Sequence, residues 1–533
     1  MNEQIMLVEI DGYNKATGLE ETLRFCDGLA YRLRPTETPA NALYRPFVLD
    51  PGWCRVDVFS KPGQYSHVTP GEVILQDMSG SLGAQLINYA FDGRRIVMRI
   101  GDRGAAYPVG FVTVINGTLD GQPTFNWDRI IFRPADLTAA MRKPLQTERY
   151  AGDNVLPNGV EGVDDLKGRV KPIVLALASN MTPQLVNTSK LIYHVSIPVG
   201  TAAVSVSAGR DKGVPLVAGA AYVSIADMLT NAPAAGQYRV LSNAVDGCYV
   251  RLGSSPAGAF TLDAAYGTAT DRTHAQVWRR ILLYAGVAPE AISDADVAAL
   301  DAALPAEIEF AVFDETTVDA VLTDVATSAG SGWIGDELGI YRITQWSAPA
   351  GTPVATLSTP RMDSMGIADP VGNGDVAPAY LVTVQWGRNW TVQPDSALGG
   401  DKTSVSDPVR APGGRAGIAA RAWLAVETRT VTARDLSVQT AHKNAVELAL
   451  TSLIADQAAA QSFANAQLAL YGVDRHMTQL SQWLSPAQID VIRPGVVVTV
   501  KETRWAYDAG RMMRVAGVKI DRGTGKTELN CWG

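Results

Sequence analysis

Gly523-Thr-Gly-Lys-Thr527 is the segment whose residue types come nearest to phosphate chemistry. A phosphate-binding loop cradles its ligand with backbone amides, so it needs a first glycine five residues before Gly525 and a helix after the threonine. Ile520 stands at the glycine position and the chain ends six residues after Thr527, so the segment reads as a hairpin turn. Neither H-E-x-x-H nor G-x-S-x-G occurs, and His67, His194, His274, His442 and His476 are singletons without ligand spacing. His274 stands one helical turn before Trp278 and reads as a satisfied or half-exposed side chain, not a base. Cys26, Cys54, Cys248 and Cys531 are far apart with no C-x-x-C pair, so they read as buried, reduced thiols and not as zinc or iron–sulfur ligands. Asp164-Asp165 is the kind of carboxylate pair that glycoside hydrolysis uses, yet 54 acidic residues supply such pairs by chance. Trp386 and Trp390, four apart in QWGRNW, are the best candidates for exposed sugar-stacking platforms, with cross-strand or interface packing the favoured alternative. The expectation is an absence of catalytic, cofactor-binding and metal residues, and no cofactor.

A chain of 533 residues exceeds what one hydrophobic core serves, so several domains are expected. Hydrophobic residues at 47% and charged residues at 19% place it among folded globular proteins. Glycine and proline are spread along the whole length, which suggests many short strands joined by turns. The N-terminus lacks a signal-peptide pattern and no window is long and apolar enough for a membrane helix, so the chain reads as cytosolically made and soluble. A net charge of −8 argues against a nucleic-acid-coating protein, because phosphate binding needs clustered cations. Contact with DNA should be repulsive or lubricating.

The elements follow from periodicity. Runs at 55–59, 72–76, 95–101 and 110–117 alternate or are apolar between turns, and Asp92-Gly93 before the third is a hairpin signal, so 91–117 reads as two paired strands. Strand chemistry continues at 191–197, 215–225 and 247–253. The period then changes: Val277, Trp278, Ile281 and Leu282 follow helical spacing, with Thr273 and Gln276 as a capping box and Gly286 as a stop. Ser293 with Asp296, and Thr316 with Asp319, open two more helices, and 339–346 alternates like a strand. The polar stretch 391–417 reads as a long loop or tether. From Ile418 to Tyr471 there is neither Gly nor Pro, and the Ala- and Leu-rich second half predicts one or two helices. The last 40 residues return to strands at 496–502 and 510–521 and through the terminus. The layout is therefore multidomain and mainly β with α+β modules: β domains at 1–149 and 150–270, an acidic α+β domain at 271–390, the 391–417 tether, and a helix-plus-strand domain at 418–533.

Between Arg280 and Arg342 no Lys or Arg occurs, while Glu290, Asp294, Asp296, Asp301, Glu307, Glu309, Asp314, Glu315, Asp319, Asp324, Asp336 and Glu337 accumulate. This 281–341 stretch predicts a negative field, either a solvated acidic face or a surface that repels DNA or docks a basic partner.

Arg149-Tyr-Ala-Gly152 followed by Glu161-Gly-Val-Asp-Asp-Leu-Lys-Gly168-Arg-Val-Lys-Pro172 resembles a "YAG … EG..DLKG..KP" segment of the baseplate-hub, or tail-tip, proteins of phages with long non-contractile tails. Stretches 91–101, 277–287, 332–343, 495–500, 510–515 and the terminal Trp532-Gly533 are similar to the same family. The resemblance implies β-barrel or sandwich hub domains that continue the tail tube, most often as a threefold homo-oligomer below a sixfold distal tail ring. It also implies partners: distal tail and tape-measure proteins, tail fibres or a spike, genome DNA passing through without specific binding, and indirect contact with the host envelope. The location it implies is the virion tail tip, after synthesis in the host cytoplasm. The peptidase, lysozyme and iron–sulfur modules of the wider family need a Cys-His pairing or clustered cysteines that this chain lacks. A carbohydrate-binding tail protein that recognises the host receptor is the alternative, and an enzyme with an unrecognised site is a third class.

Overall fold

The computed structural model describes residues 4–59, 67–358, 362–368, 377–401, 403, 407–412, 419–521, 524 and 526–533. The chain is mainly β, with several sheets and short helices between them. Its first part is a sandwich. Gln4–Asn14 pairs antiparallel with both Leu19–Cys26 and Arg95–Asp102, and the latter continues to Phe111–Thr118. Alternation along these strands buries Met6, Val8, Ile10, Ile96 and Met98 against Val73, Leu75, Ile130 and Phe132 of a four-stranded sheet. The pairing across 91–117 is as the alternation predicts, but Asp92-Gly93 does not connect the two strands. Gly93, at φ 68°, makes the turn into the first of them and donates its N–H to Leu119 O. Glu9 is buried here: desolvation raises its pKa, but hydrogen bonds from Tyr44 at 2.5 Å and Arg99 at 3.0 Å hold it below the usual value.

Two further sheets stack over a shared core in the next part: Leu177–Met181 with Phe260–Tyr266 and Val204–Asp211, and Gln184–Asn187 with Ile192–Ser196, Gly247–Leu252 and Gln237–Asn243. The stretch 215–225 is not the strand its composition suggests. It holds the short strands Val214–Pro215 and Val217–Ala218 and a bridge from Tyr222 to Leu241, and then Ser224, which accepts Asp227 N–H at 3.1 Å, caps the helix Ile225–Thr230. The three predicted helices are present as His274–Tyr284, Asp294–Ala303 and Val318–Ser328. Thr273 accepts Gln276 N–H, but the Gln276 side chain donates to Asp301 instead of closing the capping box. The third helix has Thr317 at its N-cap position, one residue later than the spacing suggests and without a side-chain cap bond, while Thr316 is held by Asp314 in the preceding turn. Ser331–Gly335 and Tyr341–Gln345 form a hairpin beside these helices.

The breaker-free stretch after 418 is only half helical. Arg429–Arg434 and Val446–Thr451 flank the strand Ala379–Trp386, and Gln457–Tyr471 is the long helix whose Phe463, Ala464 and Leu470 share the core with Val382, Val384 and Val431. RTVTAR and VELALT alternate with period two, and absence of Gly and Pro does not override that period. The described part of 391–412 is a strap and not a free tether: Leu398 and Val409 are buried with Trp423 and Leu424, and Gly399 and Arg410 donate their N–H groups to Lys212 O and Gly213 O. The largest sheet has eight strands. Among the described residues it runs from Thr356–Ser358 through Val497–Lys501, Arg511–Asp521, Lys526–Trp532 and Met477–Trp483 to Met362–Ala368, while Trp53–Asp57 joins it on Arg511–Asp521 and carries His67–Pro70 on its other edge. Segments some 460 residues apart are thus neighbours in one sheet, as in Gly517 opposite Asp57.

Candidate interaction site

The segment that resembles tail-tip proteins folds into a tightly built loop on the outer side of the Gln184–Asn187 sheet. Gly152, Gly162 and Gly168 all take positive φ, at 68°, 75° and 78°. A Cβ on Gly152 would lie 2.6 Å from Lys167 Cβ, and one on Gly162 2.6 Å from Leu166 Cδ1, so both steric space and backbone conformation demand glycine. Backbone bonds tie the two halves: Tyr150 N–H to Arg169 O, Gly168 N–H to Tyr150 O, and Gly152 N–H to Glu161 O. Asn154 accepts Glu161 N–H at 2.9 Å and donates to Val186 O at 2.8 Å, while Lys171 pairs with Glu161 at 2.8 Å. The loop is anchored inward by Tyr150, whose hydroxyl meets Nδ1 of the fully buried His194 at 2.8 Å; His194 in turn stacks on Tyr249 with ring centres 4.4 Å apart. Burial, with the nearby Lys171 charge, pushes His194 down to about 3, so the imidazole is neutral. Outward, the loop offers Val155, Leu156 and Pro157 as an exposed apolar tip.

A second buried polar centre fastens the strap to the sheets. Asn180 donates to Asn389 Oδ1 at 3.0 Å, Thr391 O at 2.7 Å and Gln393 Oε1 at 3.2 Å, and its own N–H goes to Asp263. Asp263 is also the partner of the buried Arg210.

The residues singled out for chemistry do not converge. Among the described residues no group of three or more His, Cys, Asp and Glu could hold a metal ion. His274 is fully buried, and neither ring nitrogen has a hydrogen-bond partner among the described residues; this differs from the satisfied or half-exposed side chain that its spacing suggests. Helical packing claims the ring as a core side chain, and desolvation pushes it down to about 3. The four cysteines are buried and form no disulfide among the described residues. Burial raises Cys26 to about 11 and Cys531 to about 12, which leaves both as inert thiols at neutral pH. Arg522, Gly523 and Gly525 lie outside the described residues; Thr527 sits in a strand paired with Ile520, where a phosphate loop would have a helix. Trp386 is buried and Trp390 packs edge-on to Phe313 at 5.1 Å with Arg388 over its face at 4.0 Å, so neither is an open platform.

Part of the acidic stretch is met by cations and donors from outside it. Arg272 holds Glu307 at 2.6 Å, Arg342 holds Asp336 at 2.6 Å and Asp296 at 3.4 Å, and Arg149 reaches Glu315 at 2.7 Å. The buried Glu309 accepts from Ser179 N–H at 3.0 Å and Oγ–H at 2.6 Å. Glu307, Asp336, Asp296 and Glu315 thus sit in local ion pairs, which one-dimensional charge counting could not show.

No family model matches the sequence, and no curated protein matches it. Among solved structures it is similar to a tail protein from Neisseria meningitidis MC58 at 13% identity and a TM-score of 0.37, covering 92% of this chain and 93% of that one. It is also similar to the prophage MuSo2 43 kDa tail protein from Shewanella oneidensis (9% identity, 92% and 94% covered, TM-score 0.37) and to the prophage tail protein gp18 from Listeria monocytogenes EGD-e (7% identity, 100% and 94% covered, TM-score 0.34). Likenesses at TM-scores this low assign neither fold nor family.

Proposed function

We propose that the chain is a non-enzymatic structural component of a phage tail baseplate: the hub at the distal end of the tail tube, joining the tube to fibres or a spike and forming part of the DNA exit channel. The observation that carries this reading is the 149–172 loop. The glycines and charged residues shared with tail-tip proteins are the ones its backbone and its Glu161–Lys171 pair require, so the shared pattern encodes one particular structure and not a chance composition. A mainly β body whose sheets end in strands such as Met362–Ala368 and Val446–Thr451 supplies edges of the kind that a ring subunit offers its neighbours. In this role the chain assembles as a homo-oligomer, a trimer in the first instance, against distal tail and tape-measure proteins, and its net charge of −8 lets DNA pass without sticking. Electron microscopy of the purified full chain tests this. Closed symmetric rings are the expected result; a monomer at every concentration that ignores distal tail and tape-measure proteins would overturn it.

A further inference from the structure

On the outer face of the eight-stranded sheet, residues from five strands stand in two ordered rows. One row runs Asp57, Gly517, Asn530, Gln479, Gly366; the next runs Arg55, Lys519, Glu528, Ser481, Ser364. Opposed residues share a face, so these ten positions line one surface, and they border a groove of about 630 Å³. At the end of the groove beside the Arg511–Asp521 and Lys526–Trp532 connection stand two half-exposed tryptophans, Trp53 opposite Asp521 and Trp483 opposite Lys526. Each indole has a lysine ammonium 5.6 Å from its ring centre, Lys519 for Trp53 and Lys526 for Trp483. Three strand spacings separate the two rings, about 14 Å.

From this arrangement we infer that the face binds a neutral oligosaccharide, its sugar rings lying on Trp53 and Trp483 and its hydroxyls meeting the polar rows. The inference stands on the face itself and does not depend on the tail reading. Five features single out this ligand class. The cations are already matched, Arg55 with Asp57 at 2.6 Å, Lys519 with Glu528 at 3.2 Å and Lys526 with Asp363 at 2.7 Å, so the face holds little net charge for a polyanion. Each pair fixes a donor beside an acceptor, the arrangement that vicinal hydroxyls complement. Ser481 on the groove floor is only 7% exposed and its hydroxyl has no partner among the described residues, a polar group that a ligand hydroxyl would satisfy. Gly366 leaves open space where a Cβ would stand, with no heavy atom within 4 Å. Two indoles at an oligosaccharide's separation supply the apolar faces that sugar C–H groups stack on.

The test places the full chain on an array of short neutral hexose and N-acetylhexosamine oligomers. Binding of at least one oligomer is expected. Trp53→Ala and Trp483→Ala should each weaken it about tenfold and Ser481→Ala about threefold, while Trp127→Ala, at an exposed hairpin tip elsewhere, should leave it unchanged. Saturation-transfer NMR on the unaltered chain reads sugar contact with aromatic protons, so the result does not hang on the folding of a variant. Absence of binding by the folded chain, binding that survives both tryptophan substitutions, or self-association through this face without any sugar signal would overturn the inference.

Discussion

Around Asn180 the molecule sinks its polar groups into the interior, whereas on the Trp53–Trp483 face it sets them in rows toward solvent. In the interior, Arg210, Asp263, Asn180, Asn389 and Gln393 are all under a tenth exposed and bond to one another across segments as far apart as 180 and 393. Such a network adds little net stability over an apolar core, but it permits one arrangement of strap and sheets and penalises others. On the outer face the same residue types form short pairs that hold no segment in place. Position, not composition, separates polar groups that fix the fold from those free to meet a ligand.

That contrast can be broken most forcefully at Asp263. Asp263→Ala strands the buried Arg210 guanidinium and should cost about 3–5 kcal/mol in chemical denaturation, while Glu528→Ala on the outer face should leave the midpoint where it is. Equal effects at the two sites would dissolve the distinction. Glycines give the next largest difference. Gly152→Ala meets Lys167 and a positive φ and should cost about 1–3 kcal/mol, whereas Gly366→Ala enters open space and should stay within about 0.5 kcal/mol.

Acid sharpens the interior side further. His194 and His274 hold folded pKa values of about 3 against an ordinary 6.5. The unfolded chain therefore takes up protons first, and stability present above pH 6.5 is lost as the pH falls toward 3. Between pH 7 and 5.5 each histidine should remove about 1 kcal/mol. Urea midpoints measured across that range should fall, and His274→Leu should flatten the slope. The smallest effect belongs to the face: Trp53→Ala should shift the thermal midpoint negligibly, within about 0.5 kcal/mol.

Much of the fold was legible locally. Thr273 and Ser293 announced their helices because a cap is a contact over three residues, and the 95–101 and 110–117 runs announced paired strands because alternation is visible in one dimension. What failed was whatever depends on distant partners. Trp386 looked available until the helix Gln457–Tyr471 and its neighbours covered that sheet, and Glu315 and Glu307 looked unopposed until Arg149 and Arg272 folded onto them. The polar groove was invisible for the same reason: its rows draw on residues 55, 364, 481, 519 and 528, which no motif scan joins. Trp53 carried a weak signal of its own, in a short run that alternates exposed and buried positions, whereas the strand that ends in Trp483 does not alternate.

The central claim, that this chain is the hub at the distal end of a tail tube, is tested most directly by labelling it in place. Gold-tagged antibody against the exposed 153–158 tip, applied to intact phage particles that carry this chain, should mark a single site at the far end of the tail in electron micrographs. Label distributed along the tube, or on the head, would contradict the account.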